Sequence, residues 1–470
     1  MSRTRVLDPL EERILRIESG LVIERPSWRR EPARAPLAER MAHHNVPGVS
    51  VAVINNYRIE WARAYGVRDV ETSEPVTAKT LFQAGSISKP VTALAVLRLV
   101  EEGTLSLDED VNRYLKKWKV PPNGSWQPRV TLRQLLSHSA GTTVHGFPGY
   151  SRDETIPTLL QVLNGEPPSN TPPVYVDSIP GTHFRYSGGG TCIVQQLLED
   201  VYGKPFPQLM RDLVLDPLDM QRSTFEQPLP ENLWDRAATG HFWVRNRPVH
   251  GKWHVYPEMA AAGLWTTASD LARFVLLVQQ AKAGKPGRLI SKEMAEQMLT
   301  PQVADNMGLG LFLRGKDGSR QFGHGGEDHG FIASLDAYRD HGLGAVIMTN
   351  SYGGERLIQE LRRAIAREYA WPDFLPPDRT PADVLPSAYD AYVGEYEFKP
   401  GVAWRIARDG DSLTLHANGQ PPIPLFPSSE TVFYSDVVEV ELSFARNDKG
   451  QVTEMALKQN GDEIKLGRKR

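Results

Sequence analysis

Cysteine is nearly absent from this chain: Cys192 is the one thiol among 470 residues. That excludes an intramolecular disulfide framework and any zinc site built on thiolates. Cys192 itself falls inside an apolar helical run and reads as a small buried hydrophobe. An excess of one charge is also missing, because 54 Lys and Arg stand against 57 Asp and Glu, a formal net charge of -3. Such a balance carries no electrostatic footprint for nucleic acid or an anionic membrane. No stretch approaches the ~18 uninterrupted apolar residues of a spanning helix. Met1 to Val22 is broken up by Arg, Asp and Glu and has neither an apolar core nor a small-residue cleavage site, unlike a secretory signal. The sequence as given is therefore expected in the cytoplasm, and in the periplasm or outside the cell only if an export signal has been removed. The histidines at 138, 145, 183, 241, 254 and 329 lack metal-ligand spacing, so neither a metal nor a cofactor is expected. Internal repeats and low-complexity tracts are missing too.

What is present is the composition of a globular protein, 40% hydrophobic and 24% charged, in a chain long enough for two or three domains. Residues 1–36 read as an extension, with a polar helix from Leu10 to Val22 and then a Pro- and Arg-rich connector. Residues 37–370 form the main domain. It opens with strands Val49–Ile54 and Ile59–Tyr65, joined by an Asn55-Asn56 hairpin turn. A helical middle section follows from about 85 to 300. Strands return at Gly308–Leu313, Phe331–Tyr338 and Gly344–Thr349, before a helix from Glu355 to Tyr369. Strands at both ends with helices between them predict an α+β fold, an antiparallel sheet flanked by helices plus a mostly helical subdomain. Residues 371–387 are a proline-rich linker. Residues 388–470 alternate with period two (Trp404/Ile406, Leu413/Leu415, Val440/Leu442/Phe444) between turns at Asp409-Gly410, Asn418-Gly419, Lys449-Gly450 and Asn460-Gly461. That pattern predicts a small C-terminal β-barrel.

Chemistry concentrates in three places. In Phe82-Gln-Ala-Gly85-Ser86-Ile-Ser88-Lys89-Pro, a short strand breaks at Gly85 and an almost wholly apolar helix follows, from Val91 to Val100. Ser86 then lies at the start of a buried helix. Lys89 is roughly 60° around and about one turn along, so both side chains project to the same side. A serine hydroxyl is a weak nucleophile until a base takes its proton. Desolvation and the helix dipole favour the neutral amine of a lysine in such a place. Ser88 has no lysine three residues on, so Ser86 is preferred. The second place is Tyr186-Ser187-Gly188-Gly-Gly190, just before another apolar helix, where the tyrosine is either a proton relay or a core residue. The third is His324-Gly325-Gly326-Glu327, where two glycines leave room for a substrate backbone along a strand edge. Glu327 and Asp328 either rim this site or are solvated turn residues. His138 reads as a loop-stabilising hydrogen bonder, and Phe147, Tyr150, Trp253, His254 and Tyr256 are candidates to line a cleft.

The order Ser-x-x-Lys, Tyr-x-Gly, His-x-Gly resembles the class C β-lactamase and penicillin-binding-protein-like serine hydrolases. Two flanking blocks agree, Leu135-Leu-Ser-His138-Ser-Ala-Gly141 and Ala261-Ala-Gly263-Leu-Trp-Thr-Thr267-Ala-Ser-Asp270. The resemblance runs from about Leu37 to Tyr369. It implies a Ser86 acyl-enzyme, proton transfer shared by Lys89 and Tyr186, and an oxyanion hole from the backbone N–H groups of Ser86 and Glu327. It also implies substrate contacts at Gly188, Gly325 and Gly326, and a small-molecule or peptide substrate. Two departures stand out. Gly188 replaces the usual Asn, which removes a polar clamp and opens the pocket, and His324 replaces the lysine that meets a substrate carboxylate. Both point toward an esterase or peptidase-like hydrolase, with weak β-lactamase activity at most. Two alternatives stay open: an acyltransferase or peptide cyclase using the same acyl-enzyme, and a non-catalytic penicillin-binding or sensing module. The barrel resembles the lipocalin-like appendage of several relatives, and the oligomeric state is left open, a homo-oligomer included.

Overall fold

The computed structural model describes residues 8–22, 34–285, 289–374, 381–399, 401–417, 422–435, 438, 440–459 and 462–469. The chain divides into two compact units, Ala38–Arg362 on one hand, and Met1–Leu37 with Arg363–Arg470 on the other.

The larger unit is built on a six-stranded antiparallel sheet. Its strands are β1 (Gly48–Asn55), β2 (Arg58–Gly66), β3 (Phe312–Arg314), β4 (Gln321–Asp328), β5 (Phe331–Tyr338) and β6 (Gly344–Thr349), in the spatial order β2-β1-β6-β5-β4-β3. The turn from β1 to β2 places Asn56 and Tyr57 at φ 52° and 59°, the positive values that a tight hairpin with the sheet's right-handed twist requires. β1 and β6 are buried along nearly their whole length, because helices cover the sheet and leave no solvated face for polar alternation. The helices that matter for the site are α1 (Ser88–Glu101) and α2 (Gly188–Tyr202). With α3 (Ala268–Lys282) they belong to one continuous core, which also takes in Phe322, Phe331 and Leu335 of the sheet. The Gln279 side chain of α3 donates to the carbonyls of Tyr338 and Leu343, at 2.7 and 2.9 Å, and ties that helix to β5 and its turn.

One strand lies outside the sequence expectations, and one expected strand needs correction. β4 is not among the expected strands, yet it runs for eight residues; pairing with β5 along its whole length overrides the low strand propensity of Gly323, Gly325 and Gly326. The expected strand Gly308–Leu313 is confined to Phe312–Arg314. Its first part is a loop in which Gly310 (φ 84°) donates to the Leu136 carbonyl at 2.8 Å. A fourth helix, α4 (Gly354–Glu368), follows β6.

In the second unit a helix over Pro9–Ser19 is capped by Asp8 and stops at Gly20, short of the expected Val22, which instead pairs as strand with Arg34. The C-terminal strands are β7 (Gly394–Lys399), β8 (Val402–Asp409), β9 (Ser412–His416), β10 (Ile423–Pro427), β11 (Val432–Tyr434), β12 (Glu441–Arg446), β13 (Val452–Gln459) and β14 (Asp462–Arg468). They close into a sequential barrel in which β14 pairs back to β7. Its interior is filled by side chains, including Tyr392, Tyr396, Phe433, Phe444 and Met455, as eight strands permit. The turns at Gly410 and Gly450 have φ 57° and 76°, while Asn418-Gly419 and Asn460-Gly461 lie outside the described residues, as does part of the 371–387 linker. Among the described residues no helix is long and apolar enough to cross a membrane.

Candidate active site

The nucleophile candidate is set by a short piece of strand. Phe82–Gln83 pairs with Trp265–Thr266 and runs into a single 3-10 turn, Gly85–Ile87, which precedes α1. Ser86 therefore sits on that turn, one step ahead of the α-helix proper. Gly85 has φ 51°, and a Cβ on it would lie 2.5 Å from the Glu327 nitrogen, so both conformation and proximity require glycine. Lys89 Nζ donates to Ser86 Oγ at 2.8 Å and to the Ala261 carbonyl at 2.9 Å. Lys89 is buried while Ser86 keeps some exposure. The neighbouring Ser88 is fully buried and differently engaged, donating to the Gly85 carbonyl at 2.7 Å and accepting from the Leu264 N–H at 3.0 Å. Its hydroxyl is committed to holding the turn, which leaves Ser86 as the available one.

Tyr186 is brought in by the start of α2. Ser187 caps that helix, accepting from Gly190 N–H at 3.0 Å and donating to the Thr143 carbonyl at 2.7 Å. The three glycines that follow let the 142–147 segment press on the first turn. A Cβ at Gly188 would meet Phe147 at 2.8 Å, one at Gly189 the Thr143 carbonyl at 2.7 Å, and one at Gly190 Thr142 Oγ1 at 2.9 Å. The space expected to stand open at Gly188 thus holds the Phe147 ring, and Gly188 itself is buried. The Tyr186 ring lies 5.0 Å from Lys89 Nζ, a cation–π distance. Around it stand His138 at 4.2 Å, His145 at 5.0 Å, His324 at 6.1 Å and Phe312 at 6.2 Å between centroids. His138 accepts from the Ser187 N–H at 3.2 Å, so it fixes the loop that carries the tyrosine as well as one face of its ring. Among the described residues no hydrogen bond joins the Tyr186 hydroxyl to Ser86 or Lys89.

β4 supplies the other wall. It pairs with β3 only over Gln321–Gly323, so from His324 onward no strand covers that edge among the described residues. The Gly85–Ser86 turn lies there instead. A Cβ on Gly326 would come within 1.9 Å of the Ala84 carbonyl, whereas nothing stands within 4 Å of one on Gly325. The backbones of Ser86 and Glu327 consequently adjoin, with the exposed Gly325 beside open space. His324 is buried, and its Nδ1 lies 2.6 Å from the Gly325 carbonyl, which assigns the proton to Nδ1 and leaves buried Nε2 without a partner. Burial, aided by the Lys89 charge, pushes its pKa down to about 3. The imidazole is neutral at ordinary pH, unlike a lysine in its place.

Two buried acids complete the site, and the sequence did not single out either for this environment. Glu258 begins the one-turn helix Met259–Ala262 whose Ala261 carbonyl receives Lys89. It is 0% exposed, both carboxyl oxygens are unpartnered, and burial pushes it up to about 8. Asp328 follows Glu327 in β4. It is buried rather than a solvated turn residue, its two carboxyl oxygens also lack partners, and burial holds it well above the usual carboxylate range. The Gly85 N–H favours its ionised form without making a hydrogen bond of ordinary geometry, as does the Lys89 charge. The sequence marks Asp328 only as a rim or solvated-turn residue and passes over Glu258, whose one legible signal is its apolar Met-Ala-Ala-Ala setting. Of the proposed cleft aromatics, Tyr150, Trp253 and Tyr256 are buried core residues, while Phe147 and His254 retain exposure. Among the described residues no three His, Cys, Asp or Glu are grouped to hold a metal ion.

Comparison with known proteins adds a frame to this geometry. The family described as Beta-lactamase matches residues 33–370, and a domain of unknown function, DUF3471, matches residues 378–468. The chain is 24% identical to Penicillin-binding protein 4* of Bacillus subtilis (strain 168), over 82% of this chain and 87% of that one. It is 27% identical to Penicillin-binding protein 4 of Amycolatopsis lactamdurans, over 76% of this chain and 95% of the other. The solved structure of the octameric penicillin-binding protein homologue from Pyrococcus abyssi superposes with TM-score 0.60 at 24% identity, covering 92% of this chain and 98% of that one.

Proposed function

Because the chain belongs to the Beta-lactamase family, we propose that it cleaves ester or amide bonds of a small molecule or peptide through an acyl-enzyme on Ser86. The observation that carries this reading is the 2.8 Å contact between Lys89 Nζ and Ser86 Oγ on a pre-formed, partly exposed turn. Lys89 takes the hydroxyl proton as Oγ attacks the carbonyl carbon. Tyr186, against the lysine, passes a proton to the leaving group. The amides of Ser86 and Glu327, on adjoining backbones, receive the developing oxyanion. The uncovered edge of β4 at Gly325 and Gly326 accommodates the substrate chain. His324 contributes a neutral imidazole rather than a fixed cation, so a substrate carboxylate gains little there, and β-lactam turnover is weak at most.

Incubation with a fluorophosphonate, followed by intact-mass measurement and peptide mapping, tests the reading. One adduct on Ser86 is expected, together with p-nitrophenyl ester turnover that Ser86→Ala abolishes without unfolding the protein. An unmodified Ser86, or full turnover by the alanine variant, would refute it. A penicillin adduct that forms and never decays would make the protein a sensor rather than a hydrolase.

A further inference from the structure

The loop that carries Tyr186 is bound to a second segment whose polar edge the protein itself does not use. Ser187 Oγ donates to the Thr143 carbonyl at 2.7 Å and lies 3.1 Å from that of Val144. The N–H groups of Gly189 and Gly188 donate to the Val144 and His145 carbonyls, at 3.0 and 2.9 Å. These bonds hold Val144 at φ 62°, a left-handed value that is sterically costly for a β-branched residue. Such a conformation persists only where the surroundings over-determine it. What it achieves here is the placement of the next residue. His145 is exposed, and its ring lies 5.0 Å from that of Tyr186, inclined by 43°. Among the described residues neither ring nitrogen of His145 has a hydrogen-bond partner.

We propose that His145 is a specificity-determining residue, whose imidazole hydrogen-bonds an uncharged polar group, an amide above all, on the leaving side of the substrate. The inference rests on the acyl-enzyme reading above, in which Tyr186 passes a proton to the leaving group. The departing oxygen or nitrogen must then come within hydrogen-bond reach of the Tyr186 hydroxyl, which brings the atoms attached to it beside the rings that surround that tyrosine. Of these, His138 and His324 are buried and Phe312 is apolar, whereas His145 is both polar and exposed. It is the ring of the set that a substrate can reach and bond.

The chemistry and the setting of the ring fit that role. A neutral imidazole carries one donor and one acceptor nitrogen, the two functions that an amide offers in return. A Cβ at Gly188 would lie 2.8 Å from the Phe147 ring and 3.2 Å from the His145 carbonyl, so no side chain at 188 competes for the place. The backbone of residues 143–145 is anchored to the start of α2 before any substrate arrives, which lowers the ordering cost of a bond made there. Packing alone does not call for a histidine, because a phenyl ring would cover Tyr186 as well, and Phe147 already fills the space against Gly188. An apolar leaving group would leave both nitrogens to water and gain nothing from them.

Two butanoic acid esters of nearly the same shape, the glycolamide ester and the isobutyl ester, test this on the full chain. Hydrolysis of each is measured as kcat/KM for wild type, His145→Phe, His145→Ala and His145→Gln. His145→Phe keeps a ring on Tyr186 and removes the nitrogens, so its ratio of glycolamide to isobutyl kcat/KM should fall about fivefold below that of wild type. His145→Ala should show the same fall, and either variant suffices should the other fail to fold. His145→Gln, which restores a donor and an acceptor, should regain part of the ratio. A wild-type ratio retained by the Phe and Ala variants overturns the proposal, including the case in which both rates drop together and His145 merely supports Tyr186. Wild-type protein that a fluorophosphonate labels at Ser86 but that hydrolyses neither ester would also overturn it, leaving the acyl-enzyme reading in place. Wild-type protein never labelled at Ser86 would overturn that reading instead.

Discussion

A fully buried glutamate is the most exacting residue in this site. Glu258 is pushed up to about 8 from an ordinary 4.5 by desolvation. Between those two values the folded chain keeps a proton that the unfolded chain gives up, so stability falls as pH rises through the window. The contribution is fully present below pH 4.5 and is lost once pH passes 8. Glutamine has the shape of the protonated acid and does not titrate. Glu258→Gln should therefore match wild type near pH 4.5 and become more stable than it above pH 8, by on the order of 4 kcal/mol. Urea denaturation at a series of pH values measures the difference. Parallel stability curves for the two proteins would show that Glu258 is not held protonated by the fold. His324 shows the same physics with the opposite sign, its cation suppressed by burial and by Lys89. Desolvation thus makes both groups neutral at the centre of the site, and this is the feature hardest to read from sequence, where an acid or a histidine carries no mark of its surroundings.

The elements that carry the site differ in how plainly their residues announce them. β5 and β6 occupy Phe331–Tyr338 and Gly344–Thr349, the spans their β-branched and apolar runs predict, and α1 follows from an apolar run that only a buried helix accommodates. Thr267 caps α3 by accepting from Asp270 N–H at 3.2 Å, again as its type suggests. β4 was not marked as a strand because its three glycines argue against one; Gly326 is required where a Cβ would lie 1.9 Å from the Ala84 carbonyl and Gly323 where one would lie 2.3 Å from the Leu335 carbonyl, while Gly325 faces open space. Ser86 and Ser88 looked alike apart from the lysine spacing, and the fold separates them by what each hydroxyl holds. Ser88 bridges the Gly85 carbonyl and the Leu264 N–H. Ser88→Ala should accordingly cost ~1–3 kcal/mol, since it leaves the buried Leu264 N–H without its acceptor, while the Gly85 carbonyl keeps the Ser88 backbone N–H. Ser86→Ala, at a partly exposed position, should stay within ~0.5 kcal/mol of wild type. Denaturant midpoints for the pair test this, and equal midpoints would mean that Ser88 does not hold the nucleophile turn.

At the scale of the whole molecule, the apolar residues gather into distinct cores. One runs from Ala52 to Met348 through the sheet and helices, and another, from Tyr389 to Leu466, lies inside the barrel. The barrel was legible as a class because period-two alternation and Gly-containing turns survive without knowledge of register. Which strand closes on which was not, since β14 meets β7 across the whole domain and such long-range pairing leaves no local trace. Separate cores give separate cooperative units where each buries enough apolar surface to fold as a unit. Calorimetry of the full chain should therefore resolve two transitions. Phe433, fully buried, packs on Tyr389, Tyr392 and Phe444 at 5.8, 5.2 and 5.7 Å between ring centroids. Truncating it leaves a cavity at the centre of that cluster, so Phe433→Ala should destabilise the barrel by ~3–5 kcal/mol. The expected record is a drop in one transition while the other, assigned by its shift on Ser88→Ala, keeps its temperature. A single transition that moves with both substitutions would show that the two cores unfold as one.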